Sequence, residues 1–295
     1  MLLCIYVIMY KFTNVICKEE TMGLTLCFYN FKGGVGKTST TALTAYNMAK
    51  RLNKKVLVVD CDGQANLTAL YMKTKFIDSD IKEYSIDNTL MNSIVNNTSL
   101  QDIIIPITEN LDLVPNAFDF SMYSRFLDKN VNSEDEKLLF LHNKLLPLKN
   151  IYDYIFLDVP PNLSLPNDSA FIACDQIIVV LQTQERSLSG AEVFINYLIE
   201  TLSKDAQHLN TDINVLGIIP VLSKPNAPVD YEVIRSAKEI WGEQWIFKNQ
   251  IKLMERIKRM DMQGITDNTS DIHDKNVHEK FLKVAEEIIE RLEIE

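Results

Sequence analysis

Lys32-Gly33-Gly34-Val35-Gly36-Lys37-Thr38-Ser39 is the stretch that decides the fold. Upstream, Gly23 to Asn30 has the apolar character of a buried strand. Downstream, Lys37 to Leu52 carries Leu43, Met48 and Leu52 among small residues that suit a closely packed helix. A glycine-rich loop between a strand and a helix is the setting a phosphate-binding loop requires. Its glycines let the backbone wrap with N–H groups pointing inward, and the helix beginning near Thr38 adds the positive end of its dipole. Residues Lys32 to Ser39 therefore read as a nucleotide-phosphate cradle, with the Lys37 ammonium reaching the β- and γ-phosphates and the Thr38 hydroxyl ligating Mg2+. A strict GxxxxGK[ST] pattern fails at its first glycine, where Phe31 stands.

Further apolar runs at Lys55 to Val59, Tyr154 to Leu157, Ile177 to Leu181 and Val215 to Val221 read as buried parallel strands, and Gly190 to Leu202 between them repeats apolar residues at helical intervals. The alternation predicts an α/β fold: a mostly parallel, twisted sheet flanked by helices with right-handed crossovers. Ser79 to Lys149 is rich in Asn, Asp and Ser, with helical patches at Thr89 to Val95 and Leu138 to Leu148, and is expected to be an insertion beside the sheet. Val277 to Leu292 has the apolar spacing of a docked C-terminal helix. No linker, repeat or low-complexity tract divides the chain, so 22–295 is read as a single domain. Residues 1–21 are either an extension from an upstream start codon or an extra element docked on the core.

Two further strands end in acids. Val56 to Val59 runs into Asp60-Cys61-Asp62-Gly63-Gln64-Ala65-Asn66, and Tyr154 to Leu157 runs into Asp158-Val159-Pro160-Pro161. Carboxylates at the carboxyl ends of parallel strands face the crevice where ligands bind in such sheets. Asp158 is well placed to hold Mg2+, often through a water.

The string from Lys32 to Ser39 resembles the deviant Walker A motif of the ParA/MinD family of P-loop ATPases. The resemblance implies that ATP and Mg2+ are bound, and that Lys32 acts in trans on nucleotide held by the partner of a homodimer. Asp60 to Thr68 looks like the family's switch segment, usually DxDPQ, and implies that Asp62 orients or deprotonates the attacking water while Asp60 supports the Mg2+ shell. Gly63 stands where the family has proline, and its free φ is expected to loosen the switch. Tyr154 to Pro161 looks like the Walker B strand with its trailing proline pair, assigning Asp158 to Mg2+. Leu111 to Pro115 looks like the family's central strand, and Ala173 to Gly190 like the strand and helix after Walker B. The likeness covers most of the chain, from Met22 to the last helix.

Charge narrows the reading within that family. A net charge of -10 and a pI near 5.0 argue against a surface that coats nucleic acid everywhere, so any DNA contact must use a local basic patch. Lys248, Lys252, Arg256, Lys258 and Arg259 face one acid, Glu255; if the stretch is helical, Lys248, Lys252, Arg256 and Arg259 share a face. Such a patch is either a nonspecific DNA contact or a solvated, solubilising face. The acidic tail from Glu286 to Glu295 lacks the basic amphipathic character of a membrane-bound MinD relative. Cysteines 4, 17, 27, 61 and 174 are scattered, with no metal-ligand spacing; Cys61 and Cys174 read as small buried hydrophobes in a reducing, cytoplasmic setting. The expected function is ATP-dependent DNA partition, with slow ATPase activity stimulated by a centromere-binding ParB-like partner and nucleoid association in the ATP form. A positioning ATPase acting on membrane or protein cargo is the alternative.

Overall fold

The structure, a computed structural model, describes residues 22–81, 84–223 and 228–294; the expectations for residues 1–21, with Cys4 and Cys17, lie outside them. In chain order the strands are β1 (Leu24–Tyr29), β2 (Val56–Asp60), β3 (Ile105–Thr108), β4 (Leu111–Val114), β5 (Tyr154–Asp158), β6 (Gln176–Gln182), β7 (Asn214–Ser223) and β8 (Ile251–Lys252). The helices are α1 (Lys37–Leu52), α2 (Asn66–Lys75), α3 (Leu90–Asn96), α4 (Tyr123–Asn130), α5 (Glu134–Leu145), α6 (Leu165–Ile172), α7 (Glu185–Tyr197), α8 (Ser203–Leu209), α9 (Pro228–Trp241), α10 (Glu255–Gln263) and α11 (Ile272–Ile294).

The strands form one sheet in the order β3-β4-β2-β5-β1-β6-β7-β8, parallel throughout except for the β3–β4 pair. The mostly parallel α/β sheet expected from the apolar runs is therefore present. Side-chain alternation divides its core in two. Cys27, Tyr29, Leu57, Val59, Ile155 and Leu157 face one apolar layer, while Leu26, Phe28, Val56, Val58, Tyr154 and Phe156 face the other. Such two-sided burial explains why the central strands read as continuous apolar runs rather than alternating ones. On the second face α1 and α11 pack together beneath the sheet, with Phe281, Val284, Ala285 and Ile288 of α11 fully buried.

Three expectations need correction. Residues 79–149 do not merely lie beside the sheet, because β3 and β4 from this segment extend its edge. Leu111–Val114 is a strand, but it stands one place in from that edge rather than at the centre. Here Pro106 and Asn110 interrupt the apolar pattern, and strand β3 has only four residues. The helix read over Gly190 to Leu202 begins earlier, at Glu185, and passes through a π-helical turn at Leu198–Leu202 into α8.

Candidate nucleotide-binding site

β1 lies between β5 and β6 at the sheet centre, so the loop after it opens above the carboxyl edge, beside the ends of β2 and β5. Gly34 and Gly36 adopt φ of 72° and 82°, in the left-handed region that a Cβ disfavours, and Gly36 immediately precedes α1. No atom comes within 4 Å of where a Gly34 Cβ would project, so the loop rims open space. That space is a cleft of about 530 Å³ lined by Gly33, Gly34, Gly36, Lys37, Thr38, Ser39, Asp62 and the facing flank of α2. Val35 is buried in the core beneath the loop, anchoring it.

Lys37 is 7% exposed, and its ammonium donates at 3.3 and 3.4 Å to the carbonyls of Asn30 and Lys32. Burial lowers its pKa, and the nearby Asp158 charge partly offsets that effect. Lys32 is held differently. Its ammonium donates to Gln182 Oε1 at 3.0 Å, Gln184 Oε1 at 2.7 Å and Ser187 Oγ at 3.4 Å, all on the turn from β6 into α7 of its own chain.

Asp158 is buried, and neither carboxyl oxygen has a hydrogen-bond partner meeting ordinary geometry among the described residues. Burial and the charges of Asp60 and Asp62 push its pKa up to about 8, against the pull of the Thr38 hydroxyl and the Lys37 ammonium. A buried, unpartnered carboxylate beside a lysine and a threonine hydroxyl is a group that a bound cation would complete. Among the described residues no three His, Cys, Asp or Glu side chains form a protein-only metal cage. The donor set therefore suits Mg2+, which is commonly held by one or two carboxylates together with phosphate oxygens and water.

Asp60 is occupied by its own turn. One oxygen accepts from the Thr68 amide at 2.9 Å and hydroxyl at 2.7 Å, and the other from the Asp62 amide at 3.1 Å. Burial pushes its pKa up to about 6, with these hydrogen bonds opposing the rise. Its carboxylate therefore shapes the switch turn and acts on Asp158 by charge. Asp62 stands at the cleft, accepting from the Gln64 amide at 2.9 Å. Gly63 does not use its left-handed freedom; Ala65 does, at φ 52°, just before α2. Cys27, Cys61 and Cys174 are buried free thiols, and burial raises the last two well above the usual range, as expected of small core hydrophobes.

Helix α10 closes the cleft from the far side. Gly264, at φ 99°, approaches α2 so closely that a Cβ would meet Lys73 C and Thr74 N at 2.8 Å. The Ile265 amide donates to Thr74 Oγ1 at 2.9 Å and the Lys73 ammonium to the Asp261 carbonyl at 3.2 Å. Asp261 itself reaches the cleft, where its carboxylate oxygens accept from Ser39 Oγ at 3.1 and 3.3 Å. Pattern reading missed Asp261 because a single acid in a basic stretch gives no sequence signal.

The single-face arrangement expected of the basic segment is overturned. Lys248 precedes β8, Lys252 lies in β8, and only Arg256, Lys258 and Arg259 lie on α10. Ile251 pairs with Val221 of β7, and that ladder overrides helical continuity. Arg256 is turned inward to Asp271 at 3.0 Å and to Asp274, which is 1% exposed, at 2.5 Å. Arg256→Ala is expected to destabilise the fold by about 2 kcal/mol, because the buried Asp274 carboxylate loses its cation and keeps only the Thr266 hydroxyl and the Asn268 amide as donors; equilibrium urea unfolding measures this. Lys248, Lys252, Lys258 and Arg259 remain exposed. Lys252 is joined by Lys280 and Lys283 of α11; burial, and after it the charges of Lys252 and Lys283, lower the Lys280 pKa. These two lysines were missed because they sit among the acids of the terminal helix.

The sequence profile of the AAA domain family matches residues 23–215. The chain is 27% identical to the chromosome partitioning protein ParA of Myxococcus xanthus, over 92% of this chain and 89% of that one. It is 28% identical to the sporulation initiation inhibitor protein Soj of Bacillus subtilis, over 82% of this chain and 89% of the other. The chain belongs to the AAA-domain family, in its ParA/MinD branch. Among solved structures, McdA of Cyanothece in complex with ATP superimposes on this ParA-type chain with a TM-score of 0.71 at 22% identity, covering 93% of this chain and 98% of that one. A plasmid partition protein of Borrelia burgdorferi bound to AMPPNP gives 0.66 at 22%, covering 92% and 98%. The strand order places this ParA-type chain's Walker-like segments on adjacent strand ends, β1 beside β5 and β5 beside β2.

Proposed function

We propose that this chain is an ATP-dependent DNA partition ATPase. The observation that carries its nucleotide-binding half is the buried Asp158 carboxylate, which has no hydrogen-bond partner of ordinary geometry among the described residues and feels the Lys37 ammonium and the Thr38 hydroxyl of the glycine loop. The loop amides and Lys37 bind the phosphates of ATP, Thr38 and Asp158 hold Mg2+, and Asp60 supports them by fixing the switch turn. Mg2+ would neutralise charge on the phosphates during transfer to water. Asp62 orients that water.

Lys32 acts on the nucleotide of a second copy, which requires its release from Gln182, Gln184 and Ser187. The closed homodimer then binds duplex DNA without reading sequence, and a ParB-like centromere-binding partner stimulates hydrolysis and release. The protein works in the cytoplasm and on the nucleoid in its ATP form. Residues 22–295 act as one ATPase domain. The related proteins named for chromosome and plasmid partition support this reading. No described helix is long and apolar enough to cross a membrane.

The DNA surface is assigned to Lys252, Lys280 and Lys283, with Lys258 and Arg259 flanking them; Arg256 is withdrawn into its ion pairs. Binding to unrelated duplex DNA should require ATP, fall steeply between about 50 and 200 mM salt, and drop at least about tenfold in Lys252→Ala/Lys283→Ala. Fluorescence anisotropy with ATP, ADP or no nucleotide reads this directly. Wild-type protein that binds ATP yet ignores DNA in all three conditions would remove the DNA reading and leave the nucleotide site standing.

A further inference from the structure

Asp261 stands, across from Asp62, in a cleft whose phosphate loop is equipped for anions. The loop presents backbone donors, Lys37 presents an ammonium, and Lys73 stands on the opposite wall, yet α10 aims an acceptor-only group at Ser39. Among the described residues no cation forms an ion pair with that carboxylate at bonding distance; it accepts from the Ser39 hydroxyl, while the Lys73 ammonium donates to its backbone carbonyl and acts on the carboxylate by charge alone. The helix holding it is fixed in place by the tight Gly264 approach to α2 and the Ile265–Thr74 hydrogen bond. Its position is therefore set by buried backbone, although the carboxylate itself stands exposed at the cleft mouth.

Phosphate oxygens are acceptors and would be repelled there, so the part of a nucleotide facing Asp261 must offer donors. A ribonucleotide has two kinds: the ribose hydroxyls, next along the molecule from the α-phosphate, and any exocyclic amine, farther out. Ser39 directly follows Thr38, at the phosphate end of the cleft, which favours the nearer group. We infer that Asp261 accepts a hydrogen bond from a ribose hydroxyl and makes the site selective for ribonucleotides over deoxyribonucleotides. This selectivity rests on the nucleotide reading above. A carboxylate on ribose hydroxyls is the recognition chemistry of another α/β nucleotide fold, reached here from a helix on the opposite wall.

The test is calorimetric binding of ATP, 2′-deoxyATP and 3′-deoxyATP with Mg2+ to wild type, Asp261→Ala and Asp261→Asn. Wild type should prefer ATP over at least one deoxynucleotide by about tenfold, as expected for a hydrogen bond to a charged acceptor. In Asp261→Ala that ratio should fall to about one through weaker ATP binding; Asp261→Asn, which keeps the shape and an acceptor oxygen, should fall between. A wild-type ratio near one, a ratio kept in Asp261→Ala, or tighter binding of all three nucleotides by Asp261→Ala would each overturn the assignment, the last by showing that the carboxylate only repels phosphate. Wild type that binds none of the three would instead remove the nucleotide reading itself.

Discussion

Lys37→Ala is expected to weaken Mg2+-ATP binding by at least about a hundredfold and to abolish hydrolysis. Hydrogen bonds to charged acceptors contribute about 1.5–3 kcal/mol each, and an ammonium on two phosphates makes more than one of them. The ammonium now rests on carbonyls at 3.3 and 3.4 Å, long contacts that are readily exchanged for phosphate oxygens. It also offsets the high pKa of Asp158, so its removal leaves that carboxyl still harder to ionise and weakens the cation site. Isothermal titration calorimetry, with circular dichroism to verify the fold, measures the loss. Unchanged affinity would show that the glycine loop is not where the nucleotide sits.

Asp158→Asn should alter how stability depends on pH. In the folded protein Asp158 retains its proton up to about pH 8, whereas the unfolded chain releases it near the ordinary value of 3.8. The native state therefore binds more protons across that window, and stability falls as pH rises from about 4 to about 8. Asp60, raised to about 6, contributes the same sign over a narrower range. The Asn variant should show a flatter profile without nucleotide, so the difference in Tm between variant and wild type should move in the variant's favour as pH rises. A bound cation reverses the balance in wild type by favouring the ionised carboxyl, so Mg2+-ATP should raise the Tm of wild type far more than that of the variant. Calorimetric scans from pH 5 to 9, with and without Mg2+-ATP, decide the matter through the slope; parallel profiles, or equal stabilisation by Mg2+-ATP, would remove Asp158 from the site.

Much of the architecture could be read from the chain because its central strands are buried on both faces. Leu26, Phe28, Val56, Val58 and Phe156 face one layer, while Cys27, Tyr29, Leu57 and Val59 face the other, and together they leave the uninterrupted apolar runs that pattern reading detects. The phosphate loop could be read for a different reason: glycines in a left-handed conformation next to a lysine leave a local signature. What could not be read depends on contacts between distant residues. Arg256 looked like a surface cation until Asp271 and Asp274 closed around it, and Lys280 and Lys283 join Lys252 only because α11 packs beside β8. Strands β3 and β8 were too short to carry a period, and Asp261 reaches the cleft from α10 only because Gly264, at the end of that helix, seats it against α2, far away in sequence.

The shortness of those outermost strands also affects how the molecule behaves in a crowd. An open sheet edge offers unpaired N–H and C=O groups on which a neighbour's strand can grow. Here one margin is a four-residue strand containing Pro106, which has no N–H to donate, and the other is a two-residue strand carrying the exposed Lys252. Among the described residues neither margin is long enough to template edge-to-edge growth. The described sheet therefore offers a neighbouring copy little edge on which to add a strand.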